Sequence, residues 1–150
     1  MAYTYDFPRP AVTVDALVFL KVNNELKILL IQRKNEPFAG MWAFPGGFLD
    51  EKETCETAVE RELEEETGLK GIKFTQAFTV STPGRDPRGR TLSVVFYGFT
   101  DVNNQIVEAA DDAQEAKWFD VESLPEMAFD HSKIIEDLLA TYKWDEFVTL

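Results

Sequence analysis

Residues 47–69 read GFLDEKETCETAVERELEEETGL, and this acidic stretch is the most informative part of the sequence. It predicts a helix that begins after Thr54, a good N-cap residue, and ends at Gly68, which suits the left-handed position that follows a helix. The last turn of this helix holds four glutamates: Glu62, Glu64, Glu65 and Glu66. Carboxylates at a helix C-terminus oppose the macrodipole and destabilise the helix. Their presence there therefore indicates a role other than helix stability.

These glutamates divide between two faces of the predicted helix. At about 100° per residue, Glu62, Glu65 and Glu66 fall within one arc of about 100°, which also carries apolar residues of the helix. Glu60 and Glu64 point away from that arc. Like charges on a half-buried face need a cation, so the pattern predicts a divalent-metal site. The alternative is an acidic helix whose charges simply face water.

The residues before the helix complete a spaced pattern. Five residues separate Gly47 from Glu53 and seven separate Glu53 from Arg61, which gives G-x5-E-x7-R-E-L-x-E-E-x-G-L. This pattern resembles the Nudix box, the signature of hydrolases that act on a nucleoside diphosphate linked to another moiety. The resemblance implies an α/β protein with the Nudix fold, an α/β/α sandwich around a mixed sheet.

The resemblance also implies roles for the residues of the box. Glu62, Glu65 and Glu66 are the predicted ligands of Mg²⁺ or Mn²⁺, because such hard cations prefer oxygen ligands. Glu65 is also a predicted catalytic residue. Arg61 is expected to hold Glu53 by a bidentate pair, and its alternative is an ordinary surface ion pair. Glu53 itself is predicted to be a ligand or to orient the attacking water.

Glycines and arginines are the predicted contacts of the substrate phosphates. Gly46 and Gly47 allow the backbone to approach a phosphate or a metal closely, although a tight turn alone would also use them. Arg85 and Arg88 belong to the only basic cluster of an acidic chain. They are expected to bind phosphate or a terminal ribose, with a solvated loop as the alternative. Pro83 beside them resembles the ADP-ribose-hydrolysing branch of the family.

Four further residues outside the box are candidates for the site. Asp112 or Glu115 is the expected extra acidic group, as a further metal ligand or as a general base. His131, the only histidine, is predicted to touch the substrate ribose or to lie on the surface at the start of a helix. Phe7 is predicted to belong to an N-terminal arm that reaches the site of a second copy, which would make the protein a homodimer.

Composition excludes several classes of protein. The net charge of −12 argues against a nucleic-acid backbone or an anionic membrane as partner, because both would be repelled. Content of 45% hydrophobic and 13% aromatic residues predicts a folded chain with a real core. The single cysteine, Cys55, can form no internal disulfide, and from the sequence we expect neither a leader nor a membrane-spanning run. We expect one cytoplasmic domain over residues 1–150.

Apolar and β-branched runs outside the box predict further elements. Asn23-Asn24 is expected to form a hairpin turn, and a closing helix is expected from a cap at Asp130 or Ser132 to Tyr142. The predicted strands cover residues 11–21, 26–32, 73–81, 92–100 and 117–121.

Taken with the resemblance, the residues predict a metal-dependent hydrolase, most readily one that converts ADP-ribose to AMP and ribose 5-phosphate. The runner-up substrates are nucleoside triphosphates and dinucleoside polyphosphates. A domain that binds ADP-ribose without turnover is the alternative from another class, although the box carboxylates that such a sensor would tend to lose are all present.

Overall fold

A computed structural model describes residues 2–101 and 113–142, with the backbone alone at positions 113 and 114. These residues contain seven strands and two helices. In chain order the elements are β1 Ala11–Val22, β2 Glu25–Arg33, β3 Trp42–Ala43, β4 Gly46–Phe48, α1 Cys55–Thr67, β5 Thr75–Val80, β6 Thr91–Thr100, β7 Ala113–Asp120 and α2 His131–Thr141. No helix in the described part of the chain is long and apolar enough to cross a membrane.

The strands form one mixed sheet in the order β3-β2-β1-β6-β5, with β4 paired to β1 and β7 paired to β2. β1 lies in the middle, antiparallel to β2 and parallel to β6. Its residues 13–20 are all buried. A strand that is covered on both faces has a nearly continuous apolar sequence. The apolar run over residues 11–21 predicts β1 for this reason.

The two helices cover opposite faces of this sheet. Successive side chains of a strand alternate between the two faces. Val14, Ala16 and Val18 of β1 pack in the core cluster that includes α1. Leu17 and Phe19 pack in the cluster that includes α2. The arrangement confirms the predicted α/β/α sandwich around a mixed sheet.

Local sequence signals correctly predicted the hairpin and the ends of α1. Asn23 and Asn24 have positive φ angles of 51° and 64°, and β1 and β2 pair directly across them. The Thr54 hydroxyl accepts a hydrogen bond of 3.1 Å from the Thr57 N–H. Gly68 ends the helix in the left-handed conformation, with φ of 76°. All three predictions are therefore confirmed.

Some predicted boundaries were wrong where tertiary pairing decides them. β7 begins at Ala113 rather than 117, because its ladder with β2 continues to Arg33. β5 begins at Thr75 rather than 73. Asp130 is the N-cap position of α2, yet its side chain makes no capping bond, because Arg85 occupies both of its carboxylate oxygens.

Candidate active site

A cavity of about 840 Å³ is lined by residues from α1, β1, β2, β3, β4, β6, the loops after β2 and β5, and the start of α2. Three groups of polar side chains meet there. The acidic cluster, which follows the box, consists of Glu62, Glu65 and Glu66, which line the cavity, and of Glu53, which is tied to them through Arg61. The arginine cluster consists of Arg33, Arg85 and Arg88. The buried floor consists of Thr13, Asp15, Ser93 and His131, each at most 8% exposed.

The two glycines of β4 lie directly against the carboxylates of α1. The Gly46 N–H donates a hydrogen bond of 2.9 Å to Glu66 Oε1. A Cβ atom on Gly47 would stand 2.6 Å from Glu62 Oε1, and one on Gly46 would stand 2.1 Å from the Val14 carbonyl oxygen. Only glycine fits at position 46, where the clash is with backbone, whereas a side chain at position 47 would displace the end of the Glu62 side chain. Both residues belong to a strand that pairs with β1.

Glu62 and Glu66 form a close pair in the acidic cluster. Glu66 is 8% exposed. Burial raises its pKa well above the usual range, and the neighbouring Glu62 raises it further. Burial also raises the pKa of Glu62, against the opposing charge of Arg61. Two carboxylates so placed repel each other unless they share a proton or a cation neutralises them.

This pair has the chemistry of a hard-cation site. Its carboxylate oxygens are buried, adjacent and next to a backbone that can approach closely. No group of three or more His, Cys, Asp or Glu side chains stands ready to hold a metal within the described residues. Mg²⁺ suits such a sparse set, because it is commonly held by one or two carboxylates while waters and substrate phosphates supply the rest. The residues present therefore fit a divalent cation.

Arg61 orders the rest of the acidic cluster. Its Nε and Nη2 donate to the two oxygens of Glu53 at 2.9 and 2.6 Å, the bidentate pair that the spacing predicts. Its Nη1 donates to Glu62 at 3.0 Å and to Glu65 at 3.1 Å. The hydrogen bonds from Arg61 lower the pKa of Glu53 to about 2. Arg61 is therefore the hub of a network rather than half of an isolated ion pair.

Glu65 stands apart from the buried pair. Its side chain is 45% exposed, whereas that of Glu62 is 15% exposed. All three glutamates of the predicted arc line the cavity, and Glu65 is the most exposed of them. Its position at the edge of the arc lets it reach water and Arg61. Glu60 and Glu64 are exposed, as expected.

Two of the three arginines of the cavity, Arg85 and Arg88, are already paired with acidic residues. Arg85 donates to both oxygens of Asp130 at 2.9 and 2.8 Å, and its side chain is only 5% exposed. The solvated-loop alternative is therefore wrong for Arg85. Arg88 donates to both oxygens of Asp86 at 3.1 and 2.9 Å, and its guanidinium carbon lies 4.7 Å from the ring centre of Phe48.

His131 is buried in the floor, so the surface alternative for it was wrong. Its Nδ1 accepts a hydrogen bond of 3.2 Å from the Phe44 N–H, which assigns the proton of the neutral ring to Nε2. Nε2 lies 3.6 Å from Asp15 Oδ1. Burial lowers the pKa of His131 and keeps the ring neutral near pH 7.

Asp15 is a cavity residue that the sequence analysis missed. It sits in the apolar run of β1, where it was interpreted only as part of a strand. The charge itself was an available signal for a site residue. Asp is almost never fully buried without a partner, so a charge in a buried strand indicates polar neighbours.

Three predicted site residues are not brought to the cavity by the described structure. Glu115 is exposed at the start of β7, opposite Gln32, and does not line the cavity. Phe7 is 79% exposed on the segment before β1. Asp112 lies outside the described residues. The roles expected of these three residues stay predictions.

The sequence of this chain is similar to those of known proteins. The NUDIX domain model matches residues 10–138. The ADP-ribose pyrophosphatase of Methanocaldococcus jannaschii is 48% identical over 130 residues, which cover 87% of this chain and 73% of the relative. The ADPR responsive transcriptional repressor NtrR of Acinetobacter baylyi is 32% identical over 142 residues, and this chain spans about half of it, 55%.

Solved structures agree with the sequence relatives. The NUDIX domain of Shewanella oneidensis NrtR, complexed with ADP ribose, superposes with a TM-score of 0.83 at 34% identity, over 91% of this chain and 93% of that one. A bifunctional NMN adenylyltransferase/ADP ribose pyrophosphatase from Francisella tularensis, complexed with AMP and a Mn ion, gives a TM-score of 0.77 at 37% identity, over 91% of this chain and 43% of that one. The chain described here belongs to the Nudix family.

Proposed function

We propose that this chain is a hydrolase that uses Mg²⁺, or Mn²⁺ in its place, to cleave ADP-ribose into AMP and ribose 5-phosphate. The observation that carries the proposal is the buried Glu62–Glu66 pair, set against the glycines of β4 in one cavity with the arginine cluster. The substrate assignment is supported by the Methanocaldococcus jannaschii relative, whose name is ADP-ribose pyrophosphatase.

The proposed reaction requires these residues to hold a cation against the pyrophosphate and to position a water molecule. Water adds to one phosphorus atom, the bridging P–O bond breaks, and the products are AMP and ribose 5-phosphate. The pyrophosphate oxygens carry negative charge that repels a nucleophile; a bound divalent cation would neutralise this charge and acidify water. Glu62 and Glu66 would hold the cation, with Glu65 as the third ligand or as a catalytic carboxylate in contact with the water.

The remaining residues position the reactants. Gly46 and Gly47 let the Glu62 and Glu66 carboxylates lie against the backbone of β4, so a phosphate that shares their cation would lie beside these glycines. Arg61 keeps Glu53 and Glu65 in place through its hydrogen bonds. Arg85 and Arg88, each paired with an aspartate, would donate hydrogen bonds to the substrate.

The finer assignments are proposed on the sequence patterns described above. Glu115 or Asp112 would supply a further acidic group, as a metal ligand or as a general base. Phe7 would reach the site of a second copy in a homodimer. The whole of residues 1–150 would act as a single domain, with a nucleotide rather than a nucleic acid or a membrane as its partner.

A comparison of substrates tests the proposal. We expect kcat/KM with Mg²⁺ to be at least about tenfold higher for ADP-ribose than for dGTP or diadenosine tetraphosphate, which corresponds to about 1.4 kcal/mol of differential transition-state binding. Chromatography should identify AMP and ribose 5-phosphate as the products. A preference for a triphosphate or a dinucleoside polyphosphate would defeat the substrate assignment. Binding of ADP-ribose without turnover would make the chain a sensor instead.

A further inference from the structure

Phe129 is an aromatic residue of the cavity wall that stands outside the hydrophobic core. It precedes α2 and lines the cavity, and neither core cluster of the described residues includes it. Its backbone has a φ angle of 53°, a left-handed conformation that bulky side chains rarely adopt. Such strained conformations cost folding free energy and cluster at functional sites. Phe129 is therefore a candidate for a role in the site rather than in packing alone.

Hydrogen bonds on both sides hold the backbone of Phe129 in this conformation. The Ala128 N–H donates to the Trp42 carbonyl oxygen at 2.7 Å, and the His131 N–H donates to the Ala128 carbonyl oxygen at 3.2 Å. The ring packs against the edge of Phe38, with the ring centres 4.8 Å apart. The fold therefore fixes the place of the Phe129 ring in the cavity wall.

Two arginines of the cavity meet on this ring. The guanidinium carbon of Arg33 lies 5.0 Å from the ring centre, and that of Arg88 lies 5.4 Å from it. Both distances are in the range of a cation–π contact, in which the negative face of the ring attracts a cation. Two guanidinium groups that approach each other also repel, so their position needs compensation. The Phe129 ring supplies part of it, and Asp86 supplies another part through its pair with Arg88.

Hydrogen bonds hold one edge of each of these guanidinium groups. Arg33 Nε donates to the Pro37 carbonyl oxygen at 2.7 Å. Arg88 Nε and Nη2 donate to Asp86, whereas its Nη1 makes no hydrogen bond to a described residue. Hydrogen bonds along one edge and the Phe129 ring together restrict the orientation of each group. For Arg88 this arrangement leaves Nη1 as a donor for a ligand.

We propose that Phe129 is a positioning residue, whose ring holds Arg33 and Arg88 in the orientation in which they donate hydrogen bonds to the anionic substrate. The inference rests on the proposed hydrolysis of ADP-ribose, and it adds Arg33 to the residues that bind the substrate. Arg88 also lies 4.7 Å from the ring centre of Phe48, which keeps it partly in place without Phe129. Loss of the Phe129 ring should therefore weaken substrate binding and leave the chemical step unchanged.

A substitution that removes the ring and keeps an apolar side chain tests the inference. Phe129→Leu has no π face for the two guanidinium groups. We expect KM for ADP-ribose to rise at least about threefold, as for the loss of cation–π contacts, with kcat within about twofold of the parent. Phe129→Tyr keeps the ring and should have a KM within about twofold of the parent. A fall in kcat that exceeds the rise in KM would overturn the inference, as would a tyrosine variant that behaves like the leucine variant.

Phe78→Leu is the matched control for the loss of a phenylalanine ring. Phe78 is also partly buried, but it packs against the core cluster that includes α2, and no guanidinium group of the described residues lies over its ring. We expect its KM and kcat to stay within about twofold of the parent. Equal rises in KM for the two leucine variants would overturn the inference. Phe129→Met takes the place of Phe129→Leu if thermal unfolding shows that the leucine variant does not fold.

A double-variant cycle tests whether Phe129 acts through Arg33. Arg33→Met alone is expected to raise KM for ADP-ribose at least about threefold. In the Phe129→Leu background the same substitution should raise KM by a factor at most half as large, because Arg33 is then no longer held for the substrate. Factors that simply multiply would show that the two residues act independently. A lowered unfolding temperature of Phe129→Leu with an unchanged KM would show that the ring only packs, and either result overturns the inference.

The outcomes separate this inference from the proposed function. Hydrolysis of ADP-ribose by the parent, with an unchanged KM in Phe129→Leu, overturns the inference and leaves the function standing. If the parent binds ADP-ribose without turnover, the hydrolase function falls, and the same changes are expected in Kd measured by calorimetry with Mg²⁺. A parent that neither cleaves nor binds ADP-ribose would overturn both.

Discussion

The acidic cluster and the arginine cluster share one cavity but are built in different ways. All four carboxylates of the acidic cluster come from residues 53–66, and Arg61 on the same helix binds three of them. The arginine cluster joins the end of β2 to the loop after β5, and it is tied to the start of α2 through Asp130. The comparison indicates that the acidic cluster, for which we propose the chemical role, is encoded locally. The arginine cluster, for which we propose a role in substrate binding, depends on the whole fold.

The two clusters also differ in their balance of charge. The acidic cluster has four carboxylates and one arginine, so a cation is needed to complete it. Arg85 and Arg88 are each matched by an aspartate, so the arginine cluster adds little net positive charge. In a chain of net charge −12, an anionic substrate would therefore be drawn in chiefly by the metal rather than by the arginines.

Replacement of Glu66 by glutamine is the substitution from which we expect the largest effect. Glu66→Gln keeps the shape of the side chain and removes one half of the buried pair, so kcat should fall by at least about 10²-fold, as when a strong electrostatic contact to the transition state is lost. The unfolding temperature should not fall, because the buried charge itself is costly. Steady-state kinetics and calorimetry measure the two quantities.

Glu64→Gln is the matched control for this variant. Glu64 lies two residues earlier on α1, is exposed, and forms an ion pair of 3.5 Å with Lys70. We expect its kcat to stay within about twofold of the parent, as for a surface substitution. Comparable losses in both variants would mean that the two faces of the helix do not differ as the structure indicates.

The same contrast explains which parts of the protein were predictable. The ends of α1, the Asn23-Asn24 hairpin and the Arg61–Glu53 pair follow from residues that are close in the sequence. The buried position of His131 and the pairing of Arg85 with Asp130 join residues far apart, and no local pattern signals them. Asp15 was missed for a related reason. In an apolar strand pattern a single charged residue only interrupts the pattern, and it gives no information about a site.

The two arginines should respond differently to substitution. Arg85→Met breaks a largely buried pair and leaves Asp130 without its partner, so we expect a loss of about 3 kcal/mol in the free energy of unfolding together with a raised KM. Arg88 is 39% exposed but its partner Asp86 is only 4% exposed, so Arg88→Met should raise KM severalfold and also lower the stability. This loss should be smaller than for Arg85→Met, because the Arg88 N–H still donates to Asp86. Denaturant unfolding and kinetics on both variants check this. Equal effects on stability would contradict the difference in burial.

The smallest expected effect is the pH dependence of the Glu53–Arg61 pair. Arg61 holds the pKa of Glu53 at about 2, below its ordinary value of 4.5. A carboxyl whose pKa is lowered by folding stabilises the fold above its unfolded pKa and loses this contribution as the pH falls through its folded pKa. The difference in unfolding temperature between the parent and Glu53→Gln should therefore be constant above about pH 5 and shrink from there towards pH 2. A difference that stays constant down to pH 2 would show that the pair has no such linkage.

Removal of divalent metal is the sharpest test of the proposed metal site. Without a cation, the acidic cluster holds more negative charge than Arg61 can neutralise. Turnover would be measured after exhaustive chelation and then during titration with Mg²⁺. We predict that hydrolysis is abolished by chelation and restored in a saturable manner by Mg²⁺, while the fold persists throughout. Hydrolysis that continues undiminished after complete removal of divalent metal would contradict the account.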